Sequence, residues 1–255
     1  MGPTATEACV AVIIAAKDEA ARIASTIAAV RAVAGVDLVI VVDDGSSDAT
    51  GQLAADAGAI VGSHPRNRGK AAAMSTGARA ADDLDVSKPA RSRRARALLF
   101  VDADLEGSAA NLAVLIAPVA SGEADMTIAI LPPQLTPGGG RGFVVRLARR
   151  GIESLTGWTP TQPLSGMRCL SREAFGTASP LARGWGAEVG LTIDVLSAGL
   201  RVHEVPCALR HRVTGSDWRG QVHRARQYRD VWLALAVRRT RARRVPRSRQ
   251  SQVPQ

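Results

Sequence analysis

Three short apolar runs, each closing on charge, constrain this chain most. "CVAVIIAA" (9–16) runs into "KDE", "DLVIVV" (37–42) into "DDGSSD", and "ALLFV" (97–101) into "DADLEG". Continuous β-branched runs of this length read as strands buried on both faces. Between them lie stretches of helical character. Ile23, Ile27 and Val30 share one face within 19–34, Ser47 or Asp48 can cap a helix over 49–57, and 69–81 forms a third. "AIVGS" (59–63) supplies another short strand. Strand and helix in alternation predict an α/β domain with a mostly parallel sheet flanked by helices.

In such sheets ligands bind beyond the carboxyl ends of the strands. That is where Lys17-Asp18-Glu19, Asp43-Asp44 and the pair Asp102/Asp104 fall. One Asp at a strand end is an ordinary turn former. Three charged ends along one sheet edge make a candidate site. An Asp-x-Asp pair places two hard oxygen donors beside one cation, and Mg²⁺ or Mn²⁺ held by few carboxylates keeps positions open for substrate phosphates. Asn67-Arg68-Gly69-Lys70 departs from the P-loop pattern, since position 64 is His where the first Gly is required and Ala71 replaces Ser/Thr.

Farther along, the charges and proline of 82–96 predict a surface loop, and the Gly/Pro-rich 132–142 an irregular segment before a helix over 143–156. Residues 219–239 predict an amphipathic helix with Val222, Ala225, Trp232 and Leu235 on one side. His203, Cys207 and His211 have zinc-like spacing, but Pro206 and β-branched neighbours favour a strand, on which the two histidines lie roughly 26 Å apart at ~3.3 Å per residue. The net charge of +10 is concentrated at one end. Residues 201–255 hold 14 Arg and 3 acids, whereas residues 1–200 hold 19 basic and 20 acidic residues. Such a patch suits nucleic acid, anionic lipid or a phosphorylated substrate. A nucleic-acid-binding module is the alternative reading. It finds no recognition motif, and the single tyrosine is no stacking platform. Three cysteines without a C-x-x-C pair point to a reducing, cytoplasmic compartment. No apolar run reaches the length of a membrane span.

"VIIAAKDEA", "VIVVDDGSSDAT", "NRGKAAAMSTG", "LLFVDADLEG" and "PLSGMRCLSREAF" stand in the order seen in family 2-type glycosyltransferases of the GT-A fold. The chain is similar to this family over about residues 10–215. Its run "GWGAEVGLTIDVLSAGLRVHEVPCALRHRVTG" resembles the glucosyl-3-phosphoglycerate synthase and polyprenyl-phosphate glycosyltransferase-like group. The resemblance implies a Rossmann-like, nucleotide-diphospho-sugar transferase fold in which Ala16, Lys17, Glu19, Asp43, Asp44, Lys70, Asp102 and Ala103 bind the nucleotide sugar. The Pro-Ala-x-Asn-Glu of the family is Ala15-Ala16-Lys17-Asp18-Glu19 here, and Asp44 stands where some relatives carry Ser. It implies Asp104, Asp102 and His211 as ligands of Mg²⁺ or Mn²⁺, Asp104 and Glu188 as catalytic, and Ser165, Gly166 and Arg168 at the acceptor, where Arg168 can hold a phosphate. Beside these stand plainer readings: Glu188 as a helix N-terminal acid favoured by the macrodipole, Arg168 as a structural ion pair, and His211 as a surface side chain.

The expectation is therefore a metal-dependent hexosyltransferase. It would move a hexose, glucose favoured, from a UDP-sugar to a polyprenyl phosphate or a small phosphorylated acid. Residues 1–215 would form the catalytic domain, with the nucleotide-sugar half at 9–107 and the acceptor half at 108–215. A basic helix would follow at 216–240 and a disordered basic tail at 241–255. Peripheral contact with the anionic inner face of a membrane and a homodimer are both compatible with this reading. A degenerate transferase that only binds nucleotide is the remaining variant, and no nucleic acid is expected as partner.

Overall fold

The run at 10–16 becomes the central strand β1 (Val10–Ala16), and its place explains why it lacks alternation. Val12 and Ile14 pack toward helix α1 (Ile23–Arg31) through Ile23, Ile27 and Val30. Ala11 and Ile13 pack on the other side toward Ala73, Met74 and Ala78 of helix α3 (Lys70–Ser87). Both faces of the strand are core. The computed structural model describes residues 9–87, 95–132, 142–209 and 218–244.

Among these residues one seven-stranded sheet forms. To β1 it adds β2 (Val36–Asp43), β3 (Ile60–Ser63), β4 (Ala97–Asp102), β5 (Met126–Ile130), β6 (Arg168–Leu170) and β7 (Val202–Pro206). The order is β3-β2-β1-β4-β6-β5-β7, and every pairing is parallel except those of β6, which runs antiparallel between β4 and β5. Helices α2 (Thr50–Asp56) and α4 (Ala113–Ala120) lie with α1 on one face, and α6 (Arg172–Thr177) and α7 (Ala187–Ser197) with α3 on the other. A third, smaller core joins α5 (Phe143–Thr156), α7 and α8 (Trp218–Arg244) through Ala148, Ile152, Val189, Ile193, Val231 and Leu235.

Two expectations change. Residues 82–87 continue α3 rather than open a loop. Their charges belong to a network: Arg172 pairs with Asp82 and Asp85, and the buried Arg96 with Asp37 and Asp85. On α8 the buried residues are Val231, Ala234, Leu235 and Arg238, whereas Trp232, one turn from Leu235, stays half exposed at the margin of that face. Close approach sets this rotation. A Cβ on Gly186 would lie 2.6 Å from the Asp230 carbonyl oxygen and 2.7 Å from Ala234 Cβ. Arg238 then reaches Asp194 of α7, its Nε at 2.9 Å from Oδ1.

Candidate active site

The parallel register puts the carboxylates in one row. Ala16 at the end of β1 pairs with Asp43 of β2, and its neighbour Ala15 with Asp102 of β4. Asp43 and Asp102 thus flank β1, two strand spacings or about 10 Å apart. Asp104 follows in the turn after β4. Ala103 is buried there, its carbonyl accepting from Thr26 Oγ1 at 2.9 Å.

The loops beyond β1 and β2 are sewn together. Asp18 takes a positive φ of 55°. It donates its N–H to Ser46 Oγ at 2.9 Å, and its carboxylate accepts from the Ser47 N–H at 2.7 Å. The Ser47 N–H bond, then those from Lys17 and the Ser47 hydroxyl, hold that carboxyl below the usual carboxylate range. Lys17 Nζ reaches the Gly45 carbonyl at 3.0 Å. The Glu19 N–H donates to Thr50 Oγ1 at 2.8 Å, and its carboxylate accepts from Arg22 at 3.0 Å. Asp43 Oδ1 accepts the Ser46 N–H at 2.9 Å. Gly45, at φ 71°, admits the 66–67 segment, since a Cβ there would sit 2.6 Å from the Arg66 carbonyl carbon.

Asp44 is drawn inward. It is buried, and its oxygens meet His64 Nδ1 at 2.6 Å, the Arg68 N–H at 2.8 Å and the Gly69 N–H at 2.7 Å. Burial by itself would raise its pKa, but the bonds from His64, Arg68 and Gly69 outweigh it and hold the carboxyl low. His64 Nε2 lies 3.0 Å from Thr76 Oγ1 on α3. Asp44 therefore organises the 64–69 loop instead of facing the edge, and His64, noted in the sequence only as a missing glycine, is its partner.

That loop delivers Lys70. Its Nζ lies 2.5 Å from Asp102 Oδ1 and 3.7 Å from Glu188 Oε1. Burial pulls the ammonium pKa down, yet Asp102 and Glu188 more than offset this and hold it above its usual value. Glu188 is buried at the start of α7, so one cation joins the two halves of the sheet edge. Gly166 borders the same point: a Cβ there would overlap Lys70 Nζ and come within 3.3 Å of Asp102 Oδ1. Ser165 Oγ is buried beside it and, among the described residues, is the one such side-chain atom without a hydrogen-bond partner.

Arg168 occupies a different place from the one expected. It is 0 % exposed. Its guanidinium donates to the carbonyls of Ser165 at 2.8 Å, Glu188 at 2.9 Å and Pro163 at 3.3 Å, and to Thr192 Oγ1 at 2.8 Å. With its donors turned to the protein it presents none to an acceptor phosphate. Burial draws its pKa down to about 10, against the pull of Glu188 and Glu204, so it stays cationic at neutral pH. It clamps the 163–165 segment to the first turn of α7, a role no sequence pattern announced.

A divalent cation fits the donor set at β4. Asp102 and Asp104 are hard carboxylates, and the place that Gly166 leaves open beside Asp102 is held by the Lys70 ammonium, a cation already seated where a second one would share the carboxylate. Among the described residues no cluster of three or more His, Cys, Asp or Glu could hold a metal. Two carboxylates are enough for Mg²⁺ when phosphate oxygens and water complete its shell. His211 lies outside the described residues.

A mostly parallel sheet with this row of acids at its carboxyl edge defines a GT-A glycosyltransferase. The profile described as glycosyl transferase family 2 matches residues 11–142, and the chain belongs to that family. Glucosyl-3-phosphoglycerate synthase from Mycobacterium tuberculosis, solved with Mn²⁺, UDP-glucose and phosphoglyceric acid, superposes with a TM-score of 0.68 at 27% identity, covering 91% of this chain and 79% of that one. The same synthase with Mg²⁺ and UDP gives 0.69 at 27% identity, again covering 91% and 79%. The uncharacterized protein MJ1222 of Methanocaldococcus jannaschii is 29% identical over 178 residues, 68% of this chain and 70% of its own length.

Proposed function

We propose that the chain transfers glucose from UDP-glucose to a small phosphorylated acid of the phosphoglycerate kind, with Mn²⁺ or Mg²⁺ held by Asp104 and Asp102. The observation that carries this reading is the row of Asp43 and Asp102 astride β1, with Lys70 bridging from Asp102 to Glu188. The M. tuberculosis synthase supports the choice of ligands, since it binds UDP-glucose and phosphoglyceric acid with Mn²⁺ at 27% identity to this chain. The same likeness favours a small acid over polyprenyl phosphate.

In this reading residues 9–107 seat the nucleotide sugar and 108–215 the acceptor. Asp43, an acceptor-only carboxylate, takes the uracil imide proton, with Ala16, Lys17 and Glu19 lining the base and ribose. A cation held by Asp104 and Asp102 would supply positive charge to offset that of the departing diphosphate. Lys70 adds a second positive charge at that end and, by releasing Asp102, frees the carboxylate for the metal. Glu188 accepts hydrogen bonds from sugar hydroxyls at the far side of Lys70, which orients the hexose; this suits retention of configuration. The orphaned Ser165 hydroxyl is placed to satisfy itself on the acceptor or sugar. Arg168 acts from below, fixing Ser165 and Glu188.

The test is product formation from UDP-glucose and phosphoglycerate with and without Mn²⁺. Wild type should turn over only with metal. Asp104→Ala should lose at least about a hundredfold, the scale of a removed charge-stabilising group, with an unchanged circular dichroism spectrum. UDP-glucose left intact with every phosphorylated acceptor tried, or an Asp104→Ala enzyme as fast as wild type, would overturn the assignment.

A further inference from the structure

The outer face of α8 has a composition that a catalytic role does not explain. Along 225–241, Tyr228, Trp232, Leu233 and Val237 are 46, 49, 47 and 47 % exposed. Arg226, Arg229, Arg239 and Arg241 are exposed beside them. At about 100° per residue, Tyr228, Trp232 and Arg239 share one strip, which borders the buried Leu235, and Arg226, Leu233 and Val237 share another, well away from the buried Val231, Leu235 and Arg238. Cationic and apolar groups therefore interleave. The single acid of the stretch, Asp230, is mostly covered, accepting from Arg229 at 2.8 Å and from the Trp185 N–H at 3.4 Å.

Three kinds of partner can meet such a face, and charge separates them. A second copy docked through α8 would set exposed arginines against exposed arginines, a like-charge arrangement that costs rather than gains. Nucleic acid would pair with the arginines but leave Leu233 and Val237 without purpose, since aliphatic side chains offer no π face to bases. An anionic bilayer uses both sets: Trp and Tyr settle at headgroup depth, Leu and Val enter the acyl boundary, and Arg meets lipid phosphates. The helix does not need to leave the domain for this, because Val231, Ala234 and Leu235 keep its other side docked. Among the described residues no helix is long and apolar enough to cross a membrane, so contact is with the surface. We infer that α8 seats this protein on an anionic membrane surface, with the sheet's active edge carried alongside it.

The experiment is co-sedimentation of the full chain with phosphatidylcholine vesicles, with and without phosphatidylglycerol. Binding should require phosphatidylglycerol and weaken as salt rises. Arg226→Gln with Arg239→Gln should weaken partition about thirtyfold, a roughly fivefold step per basic residue. Trp232→Ser with Leu233→Ser, which leaves every arginine in place, should weaken it about tenfold or more. Both double variants should turn over a water-soluble acceptor as wild type does, so the outcome is independent of the reaction proposed above. Equal sedimentation with both vesicle types, or none with either, overturns the inference. So does wild-type vesicle binding by the Trp232/Leu233 variant accompanied by a smaller elution size, which would assign the face to a second copy. Capture of an oligonucleotide that vesicles fail to displace would assign it to nucleic acid and equally overturn it.

Discussion

Asp44 shows how a residue beside the strand ends can matter through the loop it holds. Its carboxylate gathers His64 and two loop N–H groups, and the loop it holds ends at Lys70. Asp44→Asn keeps the shape but loses the charge, and should cost about 1–3 kcal/mol at neutral pH, the scale of leaving buried partners poorly satisfied. The pH dependence gives a sharper reading. The native pKa lies below the ordinary 3.8, so the folded state binds fewer protons than the unfolded one in that range. The stability this contributes is full above the unfolded value and is lost as pH falls through the native one. Urea midpoints of wild type should therefore drop more steeply below about pH 4 than those of Asp44→Asn; parallel curves would show that Asp44 is not so held. Arg168 makes a related case. Its four bonds all go to neutral oxygens spread over two segments, a fork that a point-charge ammonium cannot reproduce. Arg168→Lys should lose about 2–3 kcal/mol of stability and raise KM as Ser165 and Glu188 shift. The motif around Arg168 was legible, but its burial was not, because arginine is almost never fully buried and nothing local marks the exception.

At the scale of elements, what could be read was what burial writes into composition. β1, β2 and β4 stand out because both faces are core, and their carboxyl ends stand out because charge interrupts them there. β6 is three residues long and antiparallel, too short for any period to show, yet it carries Arg168 into the middle of the sheet. The end of α3 was hidden because its acids pair with Arg96 and Arg172, which are distant in sequence. The rotation of α8 was hidden for a similar reason: its own apolar residues leave the face ambiguous, and the deciding information sits on Gly186, distant in sequence. Gly186→Ala tests this. The added Cβ would meet the backbone oxygen of Asp230 at 2.6 Å, which cannot swing aside as a side chain would. Helix α8 must move off, at about 1–3 kcal/mol for an overpacked contact, and Glu188, two residues on, should move with it. Faster proteolysis within α8 together with reduced turnover is the expected pair of results. Unaltered cleavage would mean that the helix is not seated on Gly186.

For the whole molecule, one ligand should hold the two flanks of β1 together. If the proposed assignment holds, a metal at Asp102 and Asp104 and a uracil at Asp43 would touch different loops, yet the diphosphate between them would make each site's occupancy favour the other's, and such a coupling is reciprocal. Binding to the folded state alone stabilises by about 2.7 kcal/mol at a hundredfold excess over Kd. At roughly 2–4 °C per kcal/mol for a chain of this size, saturating UDP with Mn²⁺ should raise Tm by about 5–10 °C. Mn²⁺ alone should do little, since two carboxylates bind it weakly without phosphate oxygens, and UDP alone should fall short of the pair. The excess of the pair over the sum of its parts is the informative quantity. Asp104→Ala should erase that excess while leaving the shift with UDP alone, and Asp43→Asn should diminish the shift with UDP alone. Lys70→Met should behave differently again: it frees Asp102 for metal but removes a cation from the diphosphate, so Mn²⁺ alone should gain while the combined shift shrinks. Strictly additive shifts in wild type would mean that Asp43 and Asp104 do not serve one diphosphate, and the transferase geometry built on their shared row would fail.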